Sequence, residues 1–144
     1  MNKKIAIGGD HGGYDYKNKI IPWLEEQGYT VKDFGPHQTG AVDYPDHVHP
    51  LCDAIERKEF ELGILICGSG NGVAITANKH PGVRAALCWN AELAKLARAH
   101  NNANVICLGA RFTGLEFAQT MIFEFLQTDF EGGRHQTRVN KINC

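Results

Sequence analysis

The chain has no excess of either charge: 15 Lys and Arg stand against 16 Asp and Glu, a formal net charge of −1. Proteins whose business is nucleic acid usually carry a basic surplus, so that class is not expected. Long hydrophobic runs are missing too. The start, MNKKIAIGGDHGG, has a three-residue apolar run before glycines begin, too short for the core of a secretory signal, and no stretch approaches bilayer-spanning length. No membrane association is expected. Cysteines are present but unpatterned. Cys52, Cys67, Cys88, Cys107 and Cys144 are odd in number and contain no CxxC, and three of them sit inside apolar strand-like runs. Neither a disulfide framework nor a zinc site is expected, and a reducing cytoplasm is the natural compartment. Repeats, low-complexity tracts and linkers are also absent, so residues 1–144 read as one domain, long enough to bury a substantial core.

What is present is an alternation. Strand-like runs at residues 3–9, 30–35, 62–68, 84–89 and 104–109 alternate with helical patterns at 14–27, 45–60, 70–79, 90–101, 113–127 and 133–142. Residues 36–44 read as a loop, and Pro22 as a kink or break in the first helix. The clearest strand is LGILICG, with five apolar residues in seven and no polar alternation. Strands buried on both faces, as in parallel sheets, have this composition. Strand and helix in turn imply βαβ units, an α/β fold with helices on both faces of a parallel sheet. Small ligands of such folds bind beyond the carboxyl ends of the strands. Polar chemistry gathers at those ends: Gly9, Asp10, His11, Gly12 and Gly13 after the first strand, Cys67 and GSGNG after the third, Arg111 after the fifth.

Several familiar motifs fail. GGDHGG does not have GxGxxG spacing, so Asp33, about 20 residues on, carries little weight as a ribose-binding acid. GSGNG lacks the GK[ST] of a Walker loop, and Cys67 stands where a nucleophile elbow needs glycine. His47 and His49 form an HxH without an accompanying carboxylate or cysteine pattern, so metal binding is not expected. The alternating glycines of GSGNG allow successive amides to converge as an anion-binding nest. They equally suit a plain tight turn between strand and helix. Buried cysteines are usually inert, which is the reading for Cys88 and Cys107. Cys67 differs because it abuts the nest, and thiols beside helix N-termini are acidified as a class. Thiolate and nest together point to removal of a proton next to a carbonyl, with amides taking up the oxyanion. Arg134 and Arg138 are four apart in EGGRHQTRV and share a helix face, suited to a phosphate, although an unliganded surface pair looks the same. Arg111 and His11 are further phosphate candidates. His100 and Asn101 lie near a helix end, where an imidazole serves either as an acid/base or as a cation favoured by the helix dipole.

In order along the chain, DHGG, ICGSGNG, ANK, RAAL, AHNNANV, LGAR and EGGRHQTRV resemble the type B ribose-5-phosphate isomerases, grouped with the galactose-6-phosphate isomerase subunits. The resemblance runs from Ile5 to about Val139. It implies a three-layer α/β/α Rossmann-like sandwich with a five-stranded parallel sheet in the order 2-1-3-5-4. It implies a homodimer, sometimes paired into a tetramer, with each active site completed by the neighbouring subunit. The implied activity is interconversion of D-ribose 5-phosphate and D-ribulose 5-phosphate through a cis-enediolate, without metal or other cofactor. On this resemblance Cys67 is the base, Gly68, Ser69, Gly70, Asn71 and Gly72 form the oxyanion loop, and the Ser69 hydroxyl assists proton transfer. His100 opens the furanose ring. Asp10, Tyr44 and Asn101 contact the sugar; His11, Arg134 and Arg138 hold the phosphate, with Arg111 reaching across the dimer. Some relatives carry a glutamate base just after the loop; that position is Val73 here, so the chain resembles the cysteine-using branch. Alternatives are an isomerase of allose 6-phosphate or galactose 6-phosphate, a non-catalytic sugar-phosphate sensor, and a flavodoxin-like nucleotide module.

Overall fold

Alternate side chains of the central apolar runs leave on opposite faces of a sheet, and helices cover both faces. The structure, a computed structural model, describes residues 3–144. Its strands are β1 (Lys4–Gly9), β2 (Thr30–Asp33), β3 (Leu62–Cys67), β4 (Ala85–Leu87) and β5 (Val105–Gly109). Its helices are α1 (Tyr14–Glu26), α2 (Pro45–Glu56), α3 (Asn71–Ala77), α4 (Ala91–Asn101), α5 (Leu115–Gln127) and α6 (Arg134–Val139). Every strand pairing is parallel and the order is β2-β1-β3-β5-β4, the expected three-layer arrangement and the expected order. No helix among the described residues is long and apolar enough to cross a membrane.

The period of two decides which residue meets which helix. Ile5, Ile7, Ile64, Ile66, Ile106 and Leu108 face α1, α4 and α5, whose Leu24, Ala97 and Phe125 close that core. Ala6, Leu65, Cys67, Val105 and Cys107 face α2 and α3, against Leu51, Ile55 and Val73. Each of the larger side chains contributes about 2 kcal/mol by leaving water. Cys67 therefore belongs to the α2–α3 side of the sheet, at the last position of its strand.

Some expected boundaries shift, for local reasons. The helix expected to reach residue 60 ends at Glu56, where Arg57 and Lys58 turn the chain and Lys58 takes a φ of +65°. The helix expected over 70–79 is the seven-residue α3, and the strand over 84–89 is three residues long. Pro22 does not interrupt α1, because Ile20 and Leu24 on either side of it are fully buried and hold the helix to the sheet. Asp33 has a structural partner: its Oδ2 lies 2.7 Å from Nζ of Lys17, which is 1% exposed, while Oδ1 accepts the Gly35 amide at 2.8 Å. A lysine buried to this degree needs its carboxylate.

The glycines of GGDHGG serve close approach. A Cβ on Gly9 or Gly13 would overlap the Ile66 carbonyl oxygen of β3, and the Asp10 amide donates to that same oxygen at 3.3 Å. The first loop is thereby pressed onto the end of the third strand. On the other side of β3, a Cβ on Gly109 would lie 2.6 Å from the Ser69 carbonyl oxygen. We expect Gly13→Ala to destabilise the protein by about 3 kcal/mol or more in urea unfolding. Gly114→Ala, whose new Cβ meets nothing nearer than 3.7 Å, should cost less than about 1 kcal/mol. Equal effects would show that the close approach is not a constraint.

Candidate active site

The strand order reverses between β1 and β3: the chain leaves β1 towards the β2 edge, and leaves β3 towards β5 and β4. Outside the carboxyl ends of such a pair a crevice opens. Here it is a cleft of about 330 Å³ lined by Asp10, His11, Gly12, Tyr44, Cys67, Gly68, Ser69, Gly72 and Arg111. A larger cavity of about 560 Å³ lies at the opposite ends of the strands, beside Leu62, Arg84 and Asn104. None of the residues singled out in the sequence lines it, and it sits at the wrong end for a ligand of this fold.

Asp10 is 8% exposed. Its Oδ1 accepts the Gly12 amide at 2.8 Å and its carbonyl accepts the Gly13 amide at 3.1 Å, so the loop holds the carboxylate in place. His11 Nδ1 accepts the Val42 amide at 3.2 Å. A ring nitrogen that accepts carries no proton, so the imidazole proton sits on Nε2, where it is a donor.

Cys67 is 5% exposed and forms part of the cleft wall. Its Sγ accepts the amide of Gly70 at 3.1 Å, which gives the sulfur a donor when it carries negative charge. That contact depends on Gly70 holding a φ of +83°, with Leu87 and the backbone of β5 packed where a side chain would go. The other buried thiols are chemically silent. Burial pushes Cys52 up to about 12, helped by Glu56 and Asp53, and Cys88 up to about 11; full burial raises Cys107 well above its ordinary value.

The loop amides divide their work. Gly70 donates to the sulfur and Asn71 to Ser69 Oγ at 3.2 Å. The first helical bond of α3 runs from Ala74 to the Gly70 carbonyl at 3.2 Å. The Gly72 and Val73 amides precede it and point out of the helix start. Gly68, Ser69 and Gly72 of this loop line the cleft. Tyr44 covers Gly72 so closely that a Cβ there would lie 2.6 Å from its Cζ. Gly70 is buried beneath the loop, and Asn71 borders an apolar hollow shared with Leu87, Trp89 and Phe112. Arg111 lines the cleft of its own chain, its amide bonded to the Gly68 carbonyl at 3.0 Å and its guanidinium over Gly68.

The remaining candidates are elsewhere. Helix α4 runs back along the sheet, so His100 and Asn101 lie at the amino ends of the strands, where the Asn104 carbonyl accepts the Gly63 amide at 2.9 Å. A strand the length of β3 rises about 3.3 Å per residue, which puts them roughly 15–20 Å from Cys67. Arg134 and Arg138, on α6, join them there and are exposed. His100 stacks on His135, ring centroids 4.1 Å apart and planes 12° from parallel, with Glu131 Oε1 3.8 Å from the former's Nε2 and 3.6 Å from the latter's. Desolvation, then the neighbouring His100 and Arg134, push the pKa of His135 down. One chain thus presents two separate polar groupings: a sulfur and amides at one end, imidazoles and arginines at the other.

Sequence reasoning placed Gly12 at the strand end without giving it a role, and missed His135 and Glu131. Gly12 was legible in DHGG, since its amide fixes Asp10. His135 lies between the two arginines of RHQTR, and its helical face is settled only by the packing of α6 on α4.

A sequence model of the Ribose/Galactose Isomerase family matches residues 5–142. Ribose-5-phosphate isomerase B of Escherichia coli is 43% identical over 142 residues, covering 99% of this chain and 95% of that protein. D-erythrulose-4-phosphate isomerase of Pectobacterium atrosepticum is 45% identical over 139 residues, 96% of this chain and 91% of that one. Among solved structures, ribose-5-phosphate isomerase B of Mycoplasma genitalium with bound ribulose-5-phosphate superposes with a TM-score of 0.93 at 43% identity, covering 96% of this chain and 93% of that chain. With fold, loop geometry and sequence agreeing across nearly its whole length, the chain belongs to the ribose/galactose isomerase family of aldose–ketose isomerases.

Proposed function

We propose that this aldose–ketose isomerase interconverts D-ribose 5-phosphate and D-ribulose 5-phosphate, with Cys67 as the base. The observation that carries the reading is the Cys67 sulfur in the wall of the switch-point cleft, beside Asp10 and the loop residues Gly68, Ser69 and Gly72. The thiolate removes the C2 proton of the open-chain aldose, and the electron pair of that C–H bond moves onto the carbonyl oxygen. The resulting cis-enediolate is held by amides of this loop, each donor of this kind being worth about 3 kcal/mol. The Ser69 hydroxyl passes a proton between O1 and O2. The thiol then returns its proton to C1, leaving the ketose and regenerating the thiolate. Asp10 and Tyr44 hold sugar hydroxyls. His11 Nε2–H and Arg111 bind phosphate, and anchoring it far from the reacting carbons restricts the enolisable geometry.

The second grouping, at the amino ends of the strands, completes the cleft of a second copy of the chain. Supporting this are the separation of His100, Asn101, Arg134 and Arg138 from the cleft, and the exposure of Trp89 and Phe112 near its rim, at 69% and 80%. In such a homodimer His100 opens the furanose ring, Asn101 contacts the sugar, and Arg134 with Arg138 closes over the phosphate. The metabolic setting is the pentose phosphate pathway of the cytoplasm.

A second reading, a sugar phosphate of different length, is favoured by the 45% identity to an enzyme acting on a four-carbon substrate. Turnover of four-, five- and six-carbon phosphates side by side separates the two; preference for any but the five-carbon pair overturns the first.

Cys67→Ala should lower kcat about a thousandfold, with KM little changed and C2–deuterium exchange from solvent lost. Retained exchange would mean that another group is the base. His100→Asn should slow conversion of ribose 5-phosphate while sparing C1 proton washout from ribulose 5-phosphate, which is already open-chain. Equal loss in both assays would remove His100 from ring opening.

A further inference from the structure

HxH in helix α2 looked bare in the sequence, and its two imidazoles part company in the fold. His47 turns inward, its Nδ1 3.0 Å from the Phe34 carbonyl oxygen. His49 turns to the other side, where Asp53 and Glu56 follow it at helical spacings of four and three and share its face. The turn between α3 and β4 brings His80 onto this face. Its Nε2 lies 2.7 Å from His49 Nδ1, and its Nδ1 lies 2.8 Å from Glu56 Oε1 and 3.7 Å from Asp53 Oδ1. One donor atom from each of Asp53, Glu56 and His80 falls within 4.8 Å of the others.

Lone pairs that converge in this way repel unless a proton or a cation lies between them. His80 divides its two nitrogens, Nε2 towards His49 and Nδ1 towards the two carboxylates. A ligating imidazole held by a hydrogen bond at its other nitrogen is the usual arrangement around bound metal. Glu56 is held as well, since its Oε2 accepts the Gly82 amide at 2.9 Å. Its carboxyl is kept below the ordinary range, first by His80 and then by that amide. Asp53 is exposed, which leaves the remaining coordination positions open to water.

We propose that Asp53, Glu56 and His80 form a binding site for a divalent transition cation, with His49 as the residue that orients His80. One imidazole and two carboxylates suit Zn²⁺, whose bonds to such ligands are about 2.0–2.2 Å. Separations of 2.8 and 3.7 Å between ligand atoms bracket what bonds of that length require, so side-chain rotation alone completes the site. The cation replaces a proton between His80 and Glu56 and ties α2 to the turn that ends α3. It lies at the opposite end of α3 from GSGNG, so its role is to brace the helix behind the catalytic loop rather than to take part in turnover. Nothing in this inference depends on the identity of the sugar substrate.

The test uses the full chain, freed of metal with EDTA, and ZnCl2 as the probe. Zinc should raise the thermal midpoint by several degrees, and crystals soaked in ZnCl2 should show anomalous density at the zinc edge between Asp53, Glu56 and His80. Asp53→Asn, a change at an exposed carboxylate, and His80→Ala should each abolish the zinc-dependent rise, while turnover without zinc stays within twofold of the parent. A rise that survives both substitutions would overturn the proposal. So would anomalous density found only beside His100, Glu131 and His135, or only on cysteine sulfur.

Discussion

The Ile66 carbonyl of β3 accepts the Asp10 amide across a gap that admits no side chain, and Gly9 and Gly13 flank it on the β1 side. Nearly everything at the cleft follows from that contact. It fixes the height of Asp10 and His11 relative to Cys67, one residue beyond Ile66. Gly109 repeats the device on the far side of β3, bringing β5, and with it Arg111, against the Ser69 loop. Hydrophobic burial on both faces makes the sheet stable, but it would do so with many sequences. The glycine contacts decide which polar groups face one another, and they tolerate no added carbon.

Chemical selectivity then rests on where a thiol is placed. Cys52, Cys88 and Cys107 lie in the same protein, and burial away from donors drives each of them upward. Cys67 closes its strand at the point where the backbone turns back, so an amide reaches its sulfur and the cleft opens beside it. One residue earlier, the side chain would face the other core; one residue later, it would lie on the loop. The strand's period of two and the left-handed turn at Gly70 jointly select this position.

The fold was largely legible because its cues are local. Unbroken apolar strands separated by amphipathic helices left little room for anything but a parallel α/β sheet, and the order of strands came with the family resemblance. Helix ends were less legible: Lys58 gives no sequence signal for a positive φ, and Pro22 misleads because packing of Ile20 and Leu24 overrides it. At the site, the residues adjacent to strand ends were found, since strand ends are visible in sequence. The relation of His100 to Cys67 was not, because α4 carries one of them back to the far end of the sheet. His80 escaped for a related reason. It is 31 residues from His49, and only the packing of α3 against α2 makes them neighbours.

The two-ended distribution of polar residues makes sense if a second copy supplies what each cleft lacks, and that is the central claim. It is tested by co-expressing Cys67→Ala and His100→Asn chains and assaying ribose 5-phosphate as substrate, the direction in which each variant alone is slow. In a two-fold dimer with shared sites, half of the randomly mixed dimers hold one intact site, so activity should return to about a quarter of the parent level. No recovery in a population shown to contain the mixed dimer would contradict the account.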